Sequence, residues 1–189
     1  MNCDFGQKCI ATSVPQRIAN VGTLCAECRA EIVSQLRGTD ATSGGHAADR
    51  LPHWFAEAAV SRVARPETVD PGVRFLRANR LHLVPLQRLF SAARLAAPAW
   101  CELADGKLPS TASASRVGGP PPALLAAEST VFGEFLVDRY GPTFLQAVGD
   151  ELLEGLRTEQ VFAALPGVPN DRGALEASWG EWLARAADR

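Results

Sequence analysis

Two groups of side chains in this 189-residue chain have the types and spacings to do chemistry. Cys3, Cys9, Cys25 and Cys28 offer four thiolates, the ligand set of many structural zinc sites. Cys25-Ala26-Glu27-Cys28 has the tight Cys-x-x-Cys spacing of a zinc knuckle, whereas five residues separate Cys3 from Cys9, a looser clasp. His53 and Glu57 stand four residues apart, which on a helix places an imidazole and a carboxylate on one face. His46 could reach them from the preceding Gly- and Ser-rich loop, and Glu27 could complete a metal set for hydrolysis. Two other features are set aside. Cys101, beside Trp100, has no clear histidine partner and reads as a core thiol. Gly118-Gly119-Pro120 lacks the Gly-x-x-x-x-Gly-Lys frame of a phosphate loop.

The elements that must carry these residues are mostly helical by their periodicity. "QKCIATSVP" places β-branched residues before a proline, so residues 1–14 are expected to form a short strand or extended segment. From Pro15 onward Ile18, Val21, Leu24, Cys25, Cys28, Ile32 and Leu36 recur at spacings of three and four, and Gly38 supplies a C-cap. On that stripe Cys25 and Cys28 act as small hydrophobes, and Ala26 and Glu27 favour helix over the turn a knuckle needs. "LPHWFAEAAVSRVAR" is a second helix, with Pro52 in its first turn and Pro66 stopping it. "VPLQRLFSAARLAA" is a third amphipathic stretch, and the low-complexity run 104–122 is expected to be a flexible loop. Four more helical patterns follow, with Gly141 capping the first, Pro142 opening the second and Thr158 as N-cap of the third. The fold class is therefore mainly α, with residues 15–189 as one domain. Trp54, Trp100, Trp179 and Trp182 are expected in the core or between helices. Glu128 and Glu134 are read as helix-surface charges, His53 as partly exposed near a helix start, and His82 as a loop residue.

Composition narrows the function classes. An apolar fraction of 47% with 21% charged residues describes a globular chain, not a disordered one. A net charge of −2 provides no basic footprint for nucleic acid and no polybasic patch for a membrane surface. No apolar run reaches the roughly eighteen residues that span a bilayer, and "MNCDFGQKCI" lacks the apolar core of a secretory signal. The default expectation is cytoplasmic, unless the chain is part of a longer one. An odd number of cysteines, five, argues against a complete disulfide framework.

"TLCAECRAEIV" and "LPHWFAEAAV" together resemble the two active-site helices of the gluzincin (peptidase MA-like) zinc metallopeptidases, the thermolysin-like and aminopeptidase-like enzymes. In that family the first helix carries two zinc-binding histidines at i and i+4, with a catalytic glutamate after the first, and the next helix adds a glutamate as third ligand. Laid on this chain, the resemblance puts Glu27 at the position of the general base and Glu57 at that of the third ligand, through Leu51, Pro52, Trp54 and Glu57. The two ligand histidines fall on Ala26 and Ala30, and Ala58 stands where the family has glycine. "ESTVFGEFLVDRYGPTFLQAV" is similar to the family's later helix pair, and "TEQVFAAL" and "ALEASWGEWLARA" to its closing helices. A tyrosine common before that pair is missing, since Tyr140 is the only one in the chain.

The resemblance implies the helical, C-terminal part of a thermolysin- or aminopeptidase-like domain, behind a short or truncated N-terminal β portion. With alanine at both histidine positions the zinc site is degenerate, because Glu27 and Glu57 offer only carboxylates. The expected protein is a catalytically inactive, metallopeptidase-like domain, a pseudoenzyme that binds or scaffolds an unknown protein or peptide partner and holds no cofactor. Two alternatives stay open. One is a metal-dependent hydrolase using His53, Glu57 and Glu27 or His46; the other is a small zinc-stapled domain built on Cys3, Cys9, Cys25 and Cys28.

Overall fold

The computed structural model describes residues 51–64, 69–92 and 122–186, and among these every regular element is a helix. The expected strand at 1–14, the first helix after Pro15, Pro66 and Trp100 lie outside the described residues, as does the 104–122 loop except for Pro122. The elements are α1 (His53–Ala64), α2 (Val69–Ala78), a 3-10 turn (Arg80–His82), α3 (Leu86–Ser91), α4 (Pro122–Tyr140), α5 (Phe144–Leu153), α6 (Thr158–Ala164) and α7 (Arg172–Ala186). No helix among the described residues is long and apolar enough to cross a membrane.

Local chemistry accounts for most helix ends. The Pro52 carbonyl accepts the N–H groups of Phe55 and Ala56, so the proline sits in the opening turn of α1 as expected. Gly141 ends α4 with φ of 97°, and its N–H returns to the Val137 carbonyl at 2.8 Å. That left-handed conformation is cheap for glycine and costly for any residue with a Cβ. At the end of α5, the Leu156 N–H reaches the Glu151 carbonyl and the Gly155 N–H reaches Leu152, the paired bonds of a Schellman close.

Three boundaries differ from the sequence expectations. Pro142 lies in the turn before α5, which starts two residues later at Phe144. Thr158 is the first helical residue of α6, not its cap; Arg157 is the N-cap, and its N–H is answered by Gln160 Oε1 at 3.0 Å. Thr158 faces inward because its hydroxyl serves a core indole. Finally, "VDPGVRFLRA", given no element from sequence, forms α2. Pro71 sits in its first turn, where a missing N–H costs nothing, and Gly72, Val73, Phe75 and Leu76 are buried.

α4 is the hub, packing most extensively on α1 and α2 and also touching α3, α5 and α7. Trp54 on α1 is fully buried at the centre. Its rings lie 5.6 Å from those of Phe55, Phe90 and Phe132 and 5.9 Å from Phe162, and its Nε1–H donates to Thr158 Oγ1 at 3.1 Å. The aromatic core continues through Phe132 and Phe135 to Trp179 and Trp182. α1 and α4 pack tightly at Ala58 and Gly133, where a Cβ on the glycine would stand 2.5 Å from the alanine methyl. Only one of the two helices can carry a methyl there.

Candidate functional site

Of the residues that the sequence nominates for chemistry, His53 and Glu57 are within the described part of the chain. Cys3, Cys9, Cys25, Ala26, Glu27, Cys28, Ala30 and His46 lie outside it. Leu51-Pro52-x-Trp54-x-x-Glu57 opens α1. Leu51 and Trp54 turn into the core while Glu57, one turn on, is half-buried at the flank of the helix. His53 departs from expectation. It is 4% exposed, because Leu51 and Trp54 draw this end of α1 inward and the imidazole goes with them. The described residues bring no three His, Cys, Asp or Glu side chains together as a metal site. Any ligand set that includes Glu57 must therefore draw on residues outside them.

Further along α1, the helix meets α4 through polar contacts. Ser61 Oγ and Thr130 Oγ1 share a buried hydrogen bond of 2.7 Å. The serine's partner is a hydroxyl and not a base, so nothing there raises its nucleophilicity. Arg62 Nη1 reaches Glu134 Oε2 at 3.3 Å, with the two side chains 20% and 34% exposed. Ala58, Ser61, Arg62, Asp70, Thr130 and Glu134 line a cleft of about 320 Å³ between α1, α2 and α4. A second cleft of about 400 Å³ continues along α4, where Arg74 and Asp138 face it beside Trp182. The Trp182 Nε1–H donates to Asp138 Oδ2 at 2.7 Å, and so pins α7 to the end of α4.

Glu128, expected on the helix surface, is instead buried and strongly perturbed. Glu128 is 2% exposed on α4. Its Oε1 accepts the Val84 N–H at 2.8 Å, while Oε2 is buried with no hydrogen-bond partner. Burial pushes its carboxyl up to about 8, the Val84 N–H offsetting only part of that cost. That favours the uncharged acid at neutral pH, and because Oε1 accepts the Val84 N–H the proton belongs on Oε2. Two residues on, the Leu86 N–H donates to Glu176 Oε1 of α7 at 2.7 Å. The segment 83–86 is thus held by carboxyls from two helices. A signal for Glu128 exists in the sequence. "ALLAAESTVF" is apolar on every side of a helix, and a helix apolar all round has no wet face for its one carboxylate.

Compared with known proteins, the chain matches no family model, no curated protein and no solved structure.

Proposed function

We propose that the chain is a catalytically inactive metallopeptidase-like domain that serves as a binding or scaffolding module for a protein or peptide partner. The observation that carries the reading is the pair of alanines, Ala26 and Ala30, at the positions where the gluzincin resemblance requires histidine ligands. Supporting it, the second half of the resemblance falls on a helix of the right kind. Leu51 and Trp54 anchor α1 in the core, and Glu57 sits at the flank of the same helix. A carboxylate at a third-ligand position, with alanine at both histidine positions, gives zinc too few donors, since a catalytic site needs about three protein ligands. The helices and their packing survive as a scaffold; the hydrolytic water has nothing to activate it.

The test is the metal content of the purified, tag-free protein, alongside the Ala26→His, Ala30→His double variant. The expected result is no bound metal in the native chain and about one zinc in the double variant. Near-stoichiometric zinc in the native chain would overturn the inactive reading and point to His53 with Glu57 or to the four cysteines. A folded double variant that binds no zinc would overturn the superposition itself.

A further inference from the structure

Glu128 is the buried carboxyl of α4. Its carboxyl lies under the connection between the 3-10 turn and α3, where Leu83 and Pro85 are extended and Pro85 has no N–H to offer. That leaves the Val84 and Leu86 N–H groups to anchor the segment through side chains, one on Glu128 and one on Glu176. Past this segment α3 contributes Leu86, Leu89 and Phe90 to the core, and Phe90 meets Trp54 and Phe132. The state of Glu128 therefore bears on how a whole helix is seated.

We propose that Glu128 is a proton-controlled latch: as the acid it stays buried beneath the Leu83–Leu86 segment, and as the carboxylate it draws in water and loosens that segment with α3 behind it. The geometry that argues for this is the single donor. A buried carboxylate is comfortable when two or three N–H groups converge on it; Glu128 has one, and its second oxygen has none. The charged and titratable groups on the neighbouring elements do not relieve it. Among the described residues they are His53, Glu57 and Arg62 on α1, Asp70, Arg74 and Arg77 on α2, Arg80 and His82 on the 3-10 turn, Arg88 on α3, Asp150 and Glu151 on α5, and Arg172, Glu176, Glu181 and Arg185 on α7. Arg62 is turned to Glu134, Glu176 to Leu86, and Asp70, Arg74, Arg77, Arg80, His82, Arg88, Arg172, Glu181 and Arg185 stand exposed; none of these, nor His53, Glu57, Asp150 or Glu151, is among the groups that shift Glu128. Among the described residues, burial and the Val84 N–H set the balance at the Glu128 carboxyl, which supports the same conclusion.

Hydrogen exchange of the Val84 and Leu86 amides, divided by intrinsic exchange at each pH, tests the latch between about pH 6 and about pH 9. In the wild type the protection of Val84 is expected to fall by up to about tenfold per pH unit as pH rises toward about 8, because opening releases the proton, and to level off above it. In Glu128→Gln, which keeps an acceptor for Val84 but cannot ionise, protection is expected to stay level. Constant protection in the wild type, or an equal fall in the glutamine variant, would overturn the proposal. Should that variant fail to fold, the carboxyl carbon of Glu128 is followed by NMR in the wild type. A midpoint above neutrality that coincides with loss of Val84 protection supports the latch, and a midpoint in the ordinary glutamate range overturns it.

Discussion

The two halves of α4 solve the same problem differently. From Leu124 to Gly133 the helix is buried on every side, while from Glu134 to Tyr140 it runs out along the surface and carries Glu134, Asp138 and Arg139. In the outer half each acid has water to fall back on. Glu134 leans on Arg62 and Asp138 takes the Trp182 N–H, yet both keep solvent contact. In the inner half every polar atom depends on what the fold places beside it. Ser129 Oγ donates to the Leu125 carbonyl, Thr130 shares a proton with Ser61, and Glu128 finds one N–H for two oxygens. Where partners run short the proton moves instead, and Glu128 stays an acid. The lesson is that a charge on a helix must be judged by the local width of the apolar face, not by its residue type.

The largest effect expected from this contrast is thermodynamic. Glu128 has its carboxyl raised from 4.5 to about 8 in the fold, so between those limits the folded state holds a proton that the unfolded chain has lost. Its contribution to stability is complete below about pH 4.5, declines as pH rises, and has fully gone once pH passes about 8. At about 1.4 kcal/mol per pH unit, the loss between about pH 5 and about pH 8 amounts to about 4 kcal/mol. Urea unfolding of wild type and Glu128→Gln across that range measures it as the difference in slope. Parallel pH profiles would place Glu128 with the surface carboxylates and erase the distinction between the halves.

A smaller effect belongs to the boundary itself, at Gly133. A methyl on this glycine would meet the Ala58 methyl at 2.5 Å, so Gly133→Ala is expected to cost about 1–3 kcal/mol through overpacking. The companion Ala58→Gly should recover part of that loss in the double variant, because the crossing has room for one methyl and is indifferent to which helix bears it. A double variant no more stable than Gly133→Ala alone would mean that α1 and α4 simply separate. Neither glycine φ nor helix propensity separates these outcomes, which makes the rescue the informative measurement.

How much of this was legible in the sequence follows the same division. The helical class, the buried tryptophans Trp54, Trp179 and Trp182, and the Gly141 stop could all be read from periodicity and local backbone chemistry. α2 was hidden because Asp70-Pro71-Gly72 looks like punctuation, yet proline is harmless in a first turn and Gly72 is simply buried with Val73 on the inner face of the helix. His53 and Glu128 were misjudged for one reason: both are polar residues in short apolar surroundings, and burial there is decided by tertiary packing on Val84, Trp54 and their neighbours. Thr158 was placed one residue too far out because its hydroxyl answers Trp54, a partner 104 residues away along the chain. Of the candidate site, the sequence supplied Glu57 on its helix; long-range partners such as Val84 for Glu128 leave no mark in residue spacing.

The smallest expected effect lies in the outer half and sharpens the contrast by being small. Arg62 and Glu134 join α1 to α4 at 3.3 Å, but both side chains keep contact with water at 20% and 34% exposure. Solvent screens such a pair, and fixing two long side chains costs entropy, so the coupling measured for exposed pairs is about 0.2–1 kcal/mol. A double-mutant cycle of Arg62→Ala and Glu134→Ala in low salt should return a value in that range, shrinking as salt is added. Arg62→Ala alone is expected to cost more than the pair is worth. Its Nε is buried without a hydrogen-bond partner and the side chain is only 20% exposed, so truncation removes buried stem as well as charge. A coupling well above 1 kcal/mol that resists salt would show that water reaches this end of α4 no more freely than it reaches Glu128. The two halves of the helix would then be one buried environment, with Arg62 supplying to Glu134 the partner that Glu128 lacks.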